Sequence, residues 1–323
     1  MCYATAMSQT VASVIVRVAP IILLMAAGIA VRRVQLVGAQ TMEELKKLVV
    51  NLALPAVLFR AFLDMDLDWS YAWIFLTILV VCVVLWYYGV FARRALRLNQ
   101  DYFPFLTTGF EFGMLGITLF GAAYGMQYVG YIAVVDLSHE LFIWFVFVTL
   151  LIRKRDGAGS IAATAAGFAR SPVIIGILAG LLLNVGGLRQ AVYTAPVGQA
   201  LLDSLQLLGA MLVPSILLII GYGLHINLAN IREAAVSVGL RLAALIPIAL
   251  FTVLIVARRW LMLPLPFERA IVTFLLLPPP YIIPLFMKES DGRGKEYVHS
   301  VLSLYTVITV ALFIAYFVAN PTI

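Results

Sequence analysis

Charged side chains are scarce in this chain of 323 residues, which has only 22 Lys and Arg and 16 Asp and Glu, or 12% charged residues in all. Soluble domains carry about twice that fraction of charge. Hydrophobic residues make up 63% of the chain, and the mean hydropathy is +1.03. The composition therefore excludes a soluble globular protein, and it equally excludes a disordered or collagen-like chain.

Cysteine is also rare, with Cys2 at the start of the chain and Cys82 inside an apolar run. Two thiols so far apart form no disulfide framework, and we expect both to be reduced and inert. The longest basic run, at 153–155, is too short for a nucleic-acid face, so we expect no nucleic-acid partner. The residues at 1–10 lack the basic segment of a cleaved signal, which predicts that the first apolar run is retained as a helix.

Motifs of enzyme chemistry are missing as well. The three histidines, His139, His225 and His299, form neither a His-x-x-x-His pair nor a Cys/His zinc spacing. The chain has no Gly-x-Ser-x-Gly elbow and no phosphate-binding loop. We therefore expect no enzyme, no cofactor, no metal site and no ATP-driven pump.

Long apolar runs are what the sequence has in abundance. A transmembrane helix needs about 20 apolar residues, and the chain offers ten candidate spans. We expect them at about 11–31, 48–63, 70–92, 103–122, 128–152, 171–188, 205–224, 237–257, 269–287 and 297–318. The runs are unbroken rather than alternating, which favours helices over a membrane β-barrel. The sequence thus predicts an all-α, multi-pass membrane protein with ten transmembrane helices.

The distribution of Lys and Arg over the short loops predicts the orientation, because cytoplasmic loops carry an excess of them. Sixteen fall in alternate loops that would face inward: Arg32, Arg33, Lys46, Lys47, Arg93, Arg94, Arg97, Arg153, Lys154, Arg155, Arg170, Arg232, Arg241, Lys288, Arg293 and Lys295. Five fall in the others: Arg60, Arg189, Arg258, Arg259 and Arg269. This predicts a cytoplasmic (plasma) membrane protein with both termini outside. Arg17 lies within the first span, where it would reach the outer interface or attract a substrate.

An internal repeat supports the count of ten. Pro20 precedes Gly28 by eight residues in the first span, as Pro172 precedes Gly180 in the sixth, and the prolines of the second and seventh spans also align. Five helices per repeat is an odd number, so the second repeat must enter the membrane inverted, which is typical of secondary transporters. We predict a first five-helix repeat over 1–152, a cytoplasmic linker over 153–170 with its flexible centre at 156–160, and an inverted repeat over 171–323.

Two spans are expected to break inside the membrane. The ninth contains three consecutive prolines, 278–280, and then Pro284, and each proline removes an N–H from the helix. The fourth span contains Gly109, Gly113, Gly116 and Gly121, which weaken a helix and permit close crossing. Broken backbone survives at this depth only where protein or a water-filled cavity satisfies it. Crossing half-helices would direct their positive N-terminal ends at an anion, and freed carbonyls nearby could hold a cation.

These segments resemble the auxin efflux carrier family of secondary transporters. The stretch from Glu111 to Leu119, followed by Tyr124-Gly125, is similar to the family's Asn-x-Gly-Phe-x-Gly-x-Pro-Leu…Tyr-Gly pattern. The stretch 279–289 is similar to the family's proline crossover segment, and the motifs at 54–59, 172–180 and 221–224 also fit in order along nearly the whole chain.

The resemblance implies two inverted five-helix repeats, crossing of the broken fourth and ninth helices at the substrate site, a scaffold domain that dimerises, and elevator-like transport of a carboxylate. It implies a substrate site formed by Glu111, Gly113, Gly116, Thr118, Pro279, Pro280, Tyr281 and Ile283. Two positions depart from the family pattern: Glu111 stands where the family has Asn, and Thr118 stands where it has the crossover Pro.

Four titratable residues lie within the fourth and fifth spans, where charge is expensive and usually functional. Glu111 lies mid-span, and Asp136, His139 and Glu140 share one face of the next helix by their i, i+3, i+4 spacing. They could relay a proton or fix helix registration, and we take Glu111 as the hypothetical coupling carboxylate.

The sequence therefore predicts a symport carrier for a small organic anion, a mono- or dicarboxylate, driven by H⁺, by Na⁺ or by the membrane potential. Two alternatives stay open at this point. One is a sodium-coupled symporter of the bile-acid type, in which carbonyls of both broken helices bind the ion. The other is a membrane-embedded sensor that binds a ligand without moving it.

Overall fold

The computed structural model describes residues 2–66, 68–157, 166–224, 230–288 and 290–323, with the backbone alone for 2–15 and Ser70. His225 and Glu289, which the sequence suggested near span ends, lie outside the described residues. So does most of the predicted flexible centre of the linker, from position 158 onward.

The described part of the first half of the chain forms eight α-helices, joined by shorter π- and 3-10-helical segments. The α-helices are α1 (Cys2–Arg33), α2 (Ala39–Leu48), α3 (Leu54–Asp64), α4 (Ser70–Ala95), α5 (Phe103–Thr107), α6 (Ile117–Tyr124), α7 (Val129–Phe142) and α8 (Thr149–Asp156). The π segments are Val49–Ala53, Phe112–Gly116 and Ile143–Val148, and the 3-10 turn is Met126–Tyr128.

The described part of the second half follows a similar order. Its α-helices are α9 (Pro172–Val185), α10 (Arg189–Thr194), α11 (Pro196–Ala210), α12 (Leu212–Gly223), α13 (Ile231–Phe251), α14 (Leu265–Leu276) and α15 (Gly292–Ala319). A π segment, Thr252–Trp260, continues α13, and a 3-10 turn, Ile283–Phe286, follows α14.

The described residues contain helices and no strands, as the apolar runs predict. A helix satisfies all its backbone hydrogen bonds within one segment, which an apolar solvent demands. Six helical stretches among the residues that the structure describes are long and apolar enough to cross a membrane: Tyr71–Ala95, Phe103–Tyr124, Met126–Asp156, Pro196–Gly223, Ile231–Trp260 and Gly292–Ala319. The helix α9 is apolar but shorter. The expected all-α, multi-pass membrane protein is thus confirmed at this level.

Packing divides the helices into two groups. In the first group α1 packs against α12 and α3 packs against α9. In the second group α4 packs against α7, α13 against α15, and α14 against α7. Glycine permits the closest approaches in the first group, because a Cβ at Gly28 would strike the Leu218 carbonyl and one at Gly180 would strike the Phe59 carbonyl.

Hydrogen bonds at the helix ends indicate which termini share a side of the molecule. Tyr124, at the end of α6, donates its hydroxyl proton to the Asn320 carbonyl just after α15. Arg17 of α1 donates to the Ala123 carbonyl at 2.8 Å, so it caps the end of α6. These contacts bring the middle of α1, at Arg17, and the end of α15 to the end of α6 and so to the same side of the molecule. The bond from Arg32 to the Leu224 carbonyl, at the far end of α1, lies on the other side.

Candidate functional site

The first feature of the site is a break in the fourth predicted span. The helix α5 ends at Thr107, and helical backbone resumes only at Phe112. Gly109, in between, has a φ of 75°, a conformation that side chains other than glycine rarely adopt. A Cβ at Gly109 would also lie 2.8 Å from both Ile143 Cδ1 and Pro280 Cγ. The glycine is therefore required both for the turn and for the close approach of the proline segment.

The second feature is a break in the ninth predicted span. The helix α14 ends at Leu276, and the next helical turn begins at Ile283. The prolines at 278–280 explain the break, because they lack the N–H groups that would continue the helix. All three are buried, so the irregular backbone is enclosed by protein.

Carbonyls released by this break find partners within the protein. The Leu276 carbonyl accepts a hydrogen bond from the Thr309 hydroxyl of α15 at 2.8 Å. The Phe274 carbonyl accepts one from the Leu277 N–H at 3.1 Å. The sequence raised the possibility that freed carbonyls hold a cation, but these two are already satisfied.

The two breaks contact each other through Glu111. Its backbone N–H donates to the Pro278 carbonyl at 2.8 Å. Its carboxylate accepts the Tyr281 N–H on Oε2 at 2.6 Å and the Met114 N–H on Oε1 at 3.3 Å. Glu111 is only 9% exposed. One buried carboxylate thus joins the N-terminal side of the helical segment after the first break to the segment after the second.

Arg241 of α13 joins the opposite sides of the two breaks. Its guanidinium donates to the carbonyls of Leu106 at 3.0 Å, Gly109 at 2.7 Å and Leu277 at 3.1 Å. The side chain is 1% exposed. Free carbonyls at a helix C-terminus carry partial negative charge, which a cation complements. Arg241 therefore donates to the free carbonyls on the C-terminal sides of the breaks, as the Glu111 carboxylate accepts the free N–H groups on their N-terminal sides.

Aromatic rings enclose this guanidinium. Its Cζ lies 5.1 Å from the ring centroids of both Phe110 and Tyr305, which is cation–π geometry. The Phe110 ring also contacts Phe274 of α14, with centroids 4.7 Å apart. We call the contact between the two breaks, at 108–111 and 277–282, the crossing. Its core is a cation, the Arg241 guanidinium, surrounded by carbonyls and aromatic rings.

Asp136 and His139 of α7 contact the first break from another side. The His139 Nε2 accepts the Phe110 N–H at 2.9 Å, and its Nδ1 lies 2.8 Å from Asp136 Oδ1. Because Nε2 accepts, the ring proton must be on Nδ1, where it is donated to the Asp136 carboxylate. This arrangement needs a neutral imidazole, and both side chains are buried.

Glu140, the third member of the predicted cluster, has a different partner. Its Oε2 accepts the indole N–H of Trp144 at 3.0 Å. The possible ligand atoms of Asp136, His139 and Glu140 lie within 4.8 Å of one another. Both imidazole nitrogens are nevertheless engaged by protein groups, so in this arrangement the cluster is a hydrogen-bonded network and not an open metal site.

A cavity of about 330 Å³ adjoins the crossing of the two breaks. Met114, Tyr281 and Pro284 contribute one wall from the broken segments. The opposite wall comes from α2 and α12 and includes Lys46. The remaining polar lining residues are Glu43, Tyr222, His299, Ser303 and Thr306. The Tyr281 hydroxyl is 2.6 Å from the Thr306 hydroxyl, which ties the crossing segment to α15.

A second cavity, of about 680 Å³, lies beside the C-terminal parts of α3 and of α11. Its lining includes Arg60 and Asp64 of α3, Arg189 of α10, Gln127 of the 3-10 turn and Tyr131 of α7. The Arg189 guanidinium lies 3.6 Å from the Asp64 carboxylate, so its charge is balanced there.

The predicted site residues separate into those at the crossing and those that pack around it. Glu111 and Tyr281 meet directly. Pro279, Pro280 and Ile283 are buried within or next to the second break.

The three other predicted residues lie in the helical segment after the first break. Gly116 packs on Leu277, because a Cβ built at Gly116 would lie 2.8 Å from the Leu277 Cδ1 atom. Gly113 is half-buried, and a Cβ built there would lie 3.5 Å from its nearest neighbour, the Leu54 Cδ2 atom. Thr118 is fully buried, and among the described residues its hydroxyl has no hydrogen-bond partner.

Arg241 is the residue that reasoning from sequence missed. The charge distribution predicts an inward loop position for Arg241, but this residue lies in α13 and is buried, which leaves fifteen charges on that side. The predicted span 237–257 already contained position 241, and a charge inside a span marks a functional or structural site. The sequence therefore shows that Arg241 is a charge inside a span, but it does not show which three carbonyls bind the guanidinium.

Outside the spans, Asp101 connects the loop before α5 to two other helix ends. Its carboxylate contacts Arg93 at the end of α4 and Lys154 of α8, the latter at 3.0 Å. The hydrogen bond from Lys154 holds the pKa of Asp101 below its usual range, and the charge of Arg93 contributes in the same direction.

These features define a class: a multi-pass helical membrane protein in which two broken helices meet beside a cavity. Residues 13–166, just under half of the chain, match the family model described as membrane transport protein, which agrees with the resemblance of its motifs to the auxin efflux carrier family. Members of this family are transporters and not enzymes, and the match supports a membrane transporter. A comparison with curated proteins gives no match.

Proposed function

We propose that this transporter is a secondary active carrier that moves a small organic anion, a mono- or dicarboxylate, across the cytoplasmic membrane. The mechanism is elevator-type alternating access with proton coupling. One observation carries the proposal: a cavity lies between the two helix groups, and one of its walls is formed by two broken helices that meet at a buried carboxylate. In transporters, discontinuous helices commonly form the substrate site near the middle of the membrane.

Equivalent contacts in the two halves support the proposed ten helices in two inverted repeats. Gly28 of α1 packs on the Leu218 carbonyl, and Gly180 of α9 packs on the Phe59 carbonyl. Each glycine stands eight residues after the proline of its own span, and each carbonyl stands four residues after a proline of the partner helix. The same crossing therefore occurs twice, once between α1 and α12 and once between α9 and α3.

A second pair of equivalent contacts follows the same alignment. Arg32 of α1 donates to the Leu224 carbonyl, and Asn184 of α9 donates to the Met65 carbonyl at 2.6 Å. Arg32 and Asn184 are 152 positions apart, as are the two glycines. Both side chains cap the C-terminal end of the helix that they cross. This agreement favours a domain boundary in the predicted linker, at 153–170.

The two cavities support alternating access. The first cavity is lined by α2 and the C-terminal part of α12, and the second is lined by α3 and the C-terminal part of α11, so the two lie at opposite ends of the α2–α3 stretch. A shift of the group that carries the broken helices past the group that contains α1, α3, α9 and α12 would expose the crossing to one cavity and then to the other. This rigid-body motion is the elevator step of the proposal.

Lys46 supports an anionic substrate. It lines the cavity next to the crossing, and its nearest carboxylate, Glu43, is 3.8 Å away, which is a long ion pair. A cation at this position matches the charge of a carboxylate.

The orientation with both termini outside remains part of the proposal. With the buried helical residues Arg241 and Arg269 left out, fifteen Lys and Arg on one side against four on the other favour it. The homodimer implied by the resemblance also remains. The exposed face of α9, with Ile175, Leu178 and Leu182, suits a second copy as well as lipid, so the mass of the purified protein in detergent tests it.

Counterflow of labelled mono- and dicarboxylates in proteoliposomes, with and without a pH gradient, tests the transport proposal. We expect counterflow of at least one carboxylate, and accumulation when the pH gradient is applied. Lys46→Gln should weaken transport by about tenfold or more, because it removes the cation from the cavity. Lys47→Gln removes the same charge from the exposed neighbouring position and is the matched control. Binding without counterflow would contradict the carrier and select the sensor.

A further inference from the structure

The crossing site already holds a carboxylate, namely the side chain of Glu111. Both of its oxygens accept backbone N–H groups, from Tyr281 at 2.6 Å and from Met114 at 3.3 Å. Hydrogen bonds from N–H groups to an ionised carboxylate are about twice as strong as those between neutral groups. The protein itself therefore demonstrates that this pair of N–H groups binds a carboxylate.

The same two residues form a wall of the cavity. Met114 and Tyr281 both line it, on the side that faces Lys46. An anion in the cavity would meet the Lys46 ammonium, which has a long ion pair with Glu43 at 3.8 Å, but the N–H groups of Met114 and Tyr281 are already used by Glu111. It would also approach a second negative charge in a region of low dielectric constant, where repulsion is weakly screened.

From this arrangement, and resting on the proposed transport of a carboxylate, we propose that the substrate anion and the ionised Glu111 side chain compete for the same two N–H groups. The anion takes the N–H groups of Met114 and Tyr281 when Glu111 accepts a proton and releases them. Each bound anion then enters with one proton, held on the Glu111 carboxyl group. The Glu111 carboxylate thus takes the place of the substrate carboxylate in the empty carrier. After the substrate leaves, Glu111 loses its proton and accepts the two N–H groups again.

Several charged or titratable groups surround Glu111. They are Lys46 of α2, Asp136, His139 and Glu140 of α7, Tyr281 of the crossing segment, and Arg241 of α13, which bonds to the adjacent Gly109 carbonyl. Within the part of the chain that the structure describes, Glu111 is the carboxylate that bonds to the N–H groups of Met114 and Tyr281, two residues that line the cavity. Competition for those groups therefore distinguishes Glu111 from a carboxylate that merely sits nearby and changes charge.

Binding of acetate, propionate and malonate, measured by thermal shift of the purified protein between about pH 6.5 and pH 8.5, tests the competition. The probes are ionised in this range, so their own titration does not contribute. For the natural chain we expect affinity to fall with rising pH, by up to about tenfold per pH unit, as one linked proton requires. Glu111→Gln should bind more tightly than the natural chain at the upper pH, by about tenfold or more, with little dependence on pH.

Glu44→Gln is the control, because it removes a carboxylate from an exposed position of α2 and should keep the natural pH dependence. Glu111→Ala is a second variant that frees both N–H groups, and size-exclusion chromatography verifies that each variant is folded. Tight, pH-independent binding by either folded Glu111 variant supports the competition.

If carboxylates bind the natural chain and the Glu111 variants bind them more weakly, or with the same pH slope, the competition is wrong while carboxylate transport stands. If neither the natural chain nor either variant binds any probe, carboxylate recognition fails and the competition fails with it.

Discussion

The carboxylate of Glu111 accepts the backbone N–H of Tyr281 at 2.6 Å, although the two residues are 170 positions apart in the chain. Each belongs to a segment that has left helical geometry, and each segment alone would expose unpaired backbone groups. Their contact shows how two locally unfavourable breaks satisfy each other. It also joins the two breaks, so we expect a substitution in one break to change the structure of the other.

Arg241→Met should strongly destabilise the protein, because it leaves the carbonyls of Leu106, Gly109 and Leu277 without their shared donor. A buried unsatisfied polar group costs about 1–3 kcal/mol, so we expect a loss of about 3 kcal/mol or more. Arg241→Lys should recover part of it, since one ammonium cannot reach three carbonyls equally well. Thermal unfolding in detergent measures the change. Arg232→Met, at an exposed position of the same helix, should have little effect, and an equal loss there would contradict the explanation.

His139→Leu should also destabilise, because the Phe110 N–H loses its acceptor while the side-chain volume is nearly kept. The expected loss is about 1–3 kcal/mol. His139→Gln can place an amide oxygen near the position of Nε2, whereas the shorter His139→Asn cannot. The melting temperatures should therefore follow the order natural chain, Gln, Asn. If Asn and Gln behave alike, the bond to Phe110 is not what makes His139 important.

Gly28→Ala and Gly180→Ala should each lower the melting temperature, because the added Cβ would strike a backbone carbonyl of the crossing helix. Overpacking of this kind costs about 1–3 kcal/mol, and a backbone carbonyl cannot turn away as a flexible side chain can. Gly239→Ala is the control with the opposite sign. A Cβ at position 239 would have no neighbour within 4 Å, so the higher helix propensity of Ala should raise the free energy of unfolding of the protein by about 0.5–1 kcal/mol. Stabilisation by Ala at position 28 or 180 would argue against the close crossing.

Asp101→Asn tests the contact with Arg93 and Lys154 by its pH dependence. The folded protein lowers the pKa of Asp101 from the ordinary 3.8, so the ionised form contributes stability above the ordinary pKa. That contribution is lost as pH falls below about 4 and through the lower folded pKa. The side chain is 56% exposed, so solvent screening limits the difference to about 0.2–1 kcal/mol near neutral pH. Melting curves of both proteins should converge at low pH, and a constant difference would contradict the pairing.

Local sequence signals predicted the helices and both breaks. The observed bounds of α4 and α15 lie within about five residues of the expected 70–92 and 297–318. The proline run at 278–280 marked the second break, and the glycines of the fourth span marked the first. These features could be predicted because hydrophobic runs and missing N–H groups act on the nearest residues, whatever the rest of the chain does.

The partners at the site could not be predicted in the same way. Thr118, expected at the substrate site, lies buried in α6, and Arg241, expected in a loop, lies at the centre of the crossing. Residue type and spacing indicate that a buried charge needs partners, but they do not name them. The carbonyls that Arg241 binds come from α5 and from the two broken segments, which meet it only in the folded chain.

The scarcity of charge and the long apolar runs determined by themselves that this protein is a bundle of membrane helices, because such a chain can satisfy its backbone only within helices. The prolines and glycines determined where those helices fail. Only the tertiary structure decided how the exposed backbone of each break is satisfied, with Glu111 on the N–H groups and Arg241 on the carbonyls. The physical reason is that a hydrogen bond lost within one helix can be replaced only by a group brought to it from elsewhere in the chain.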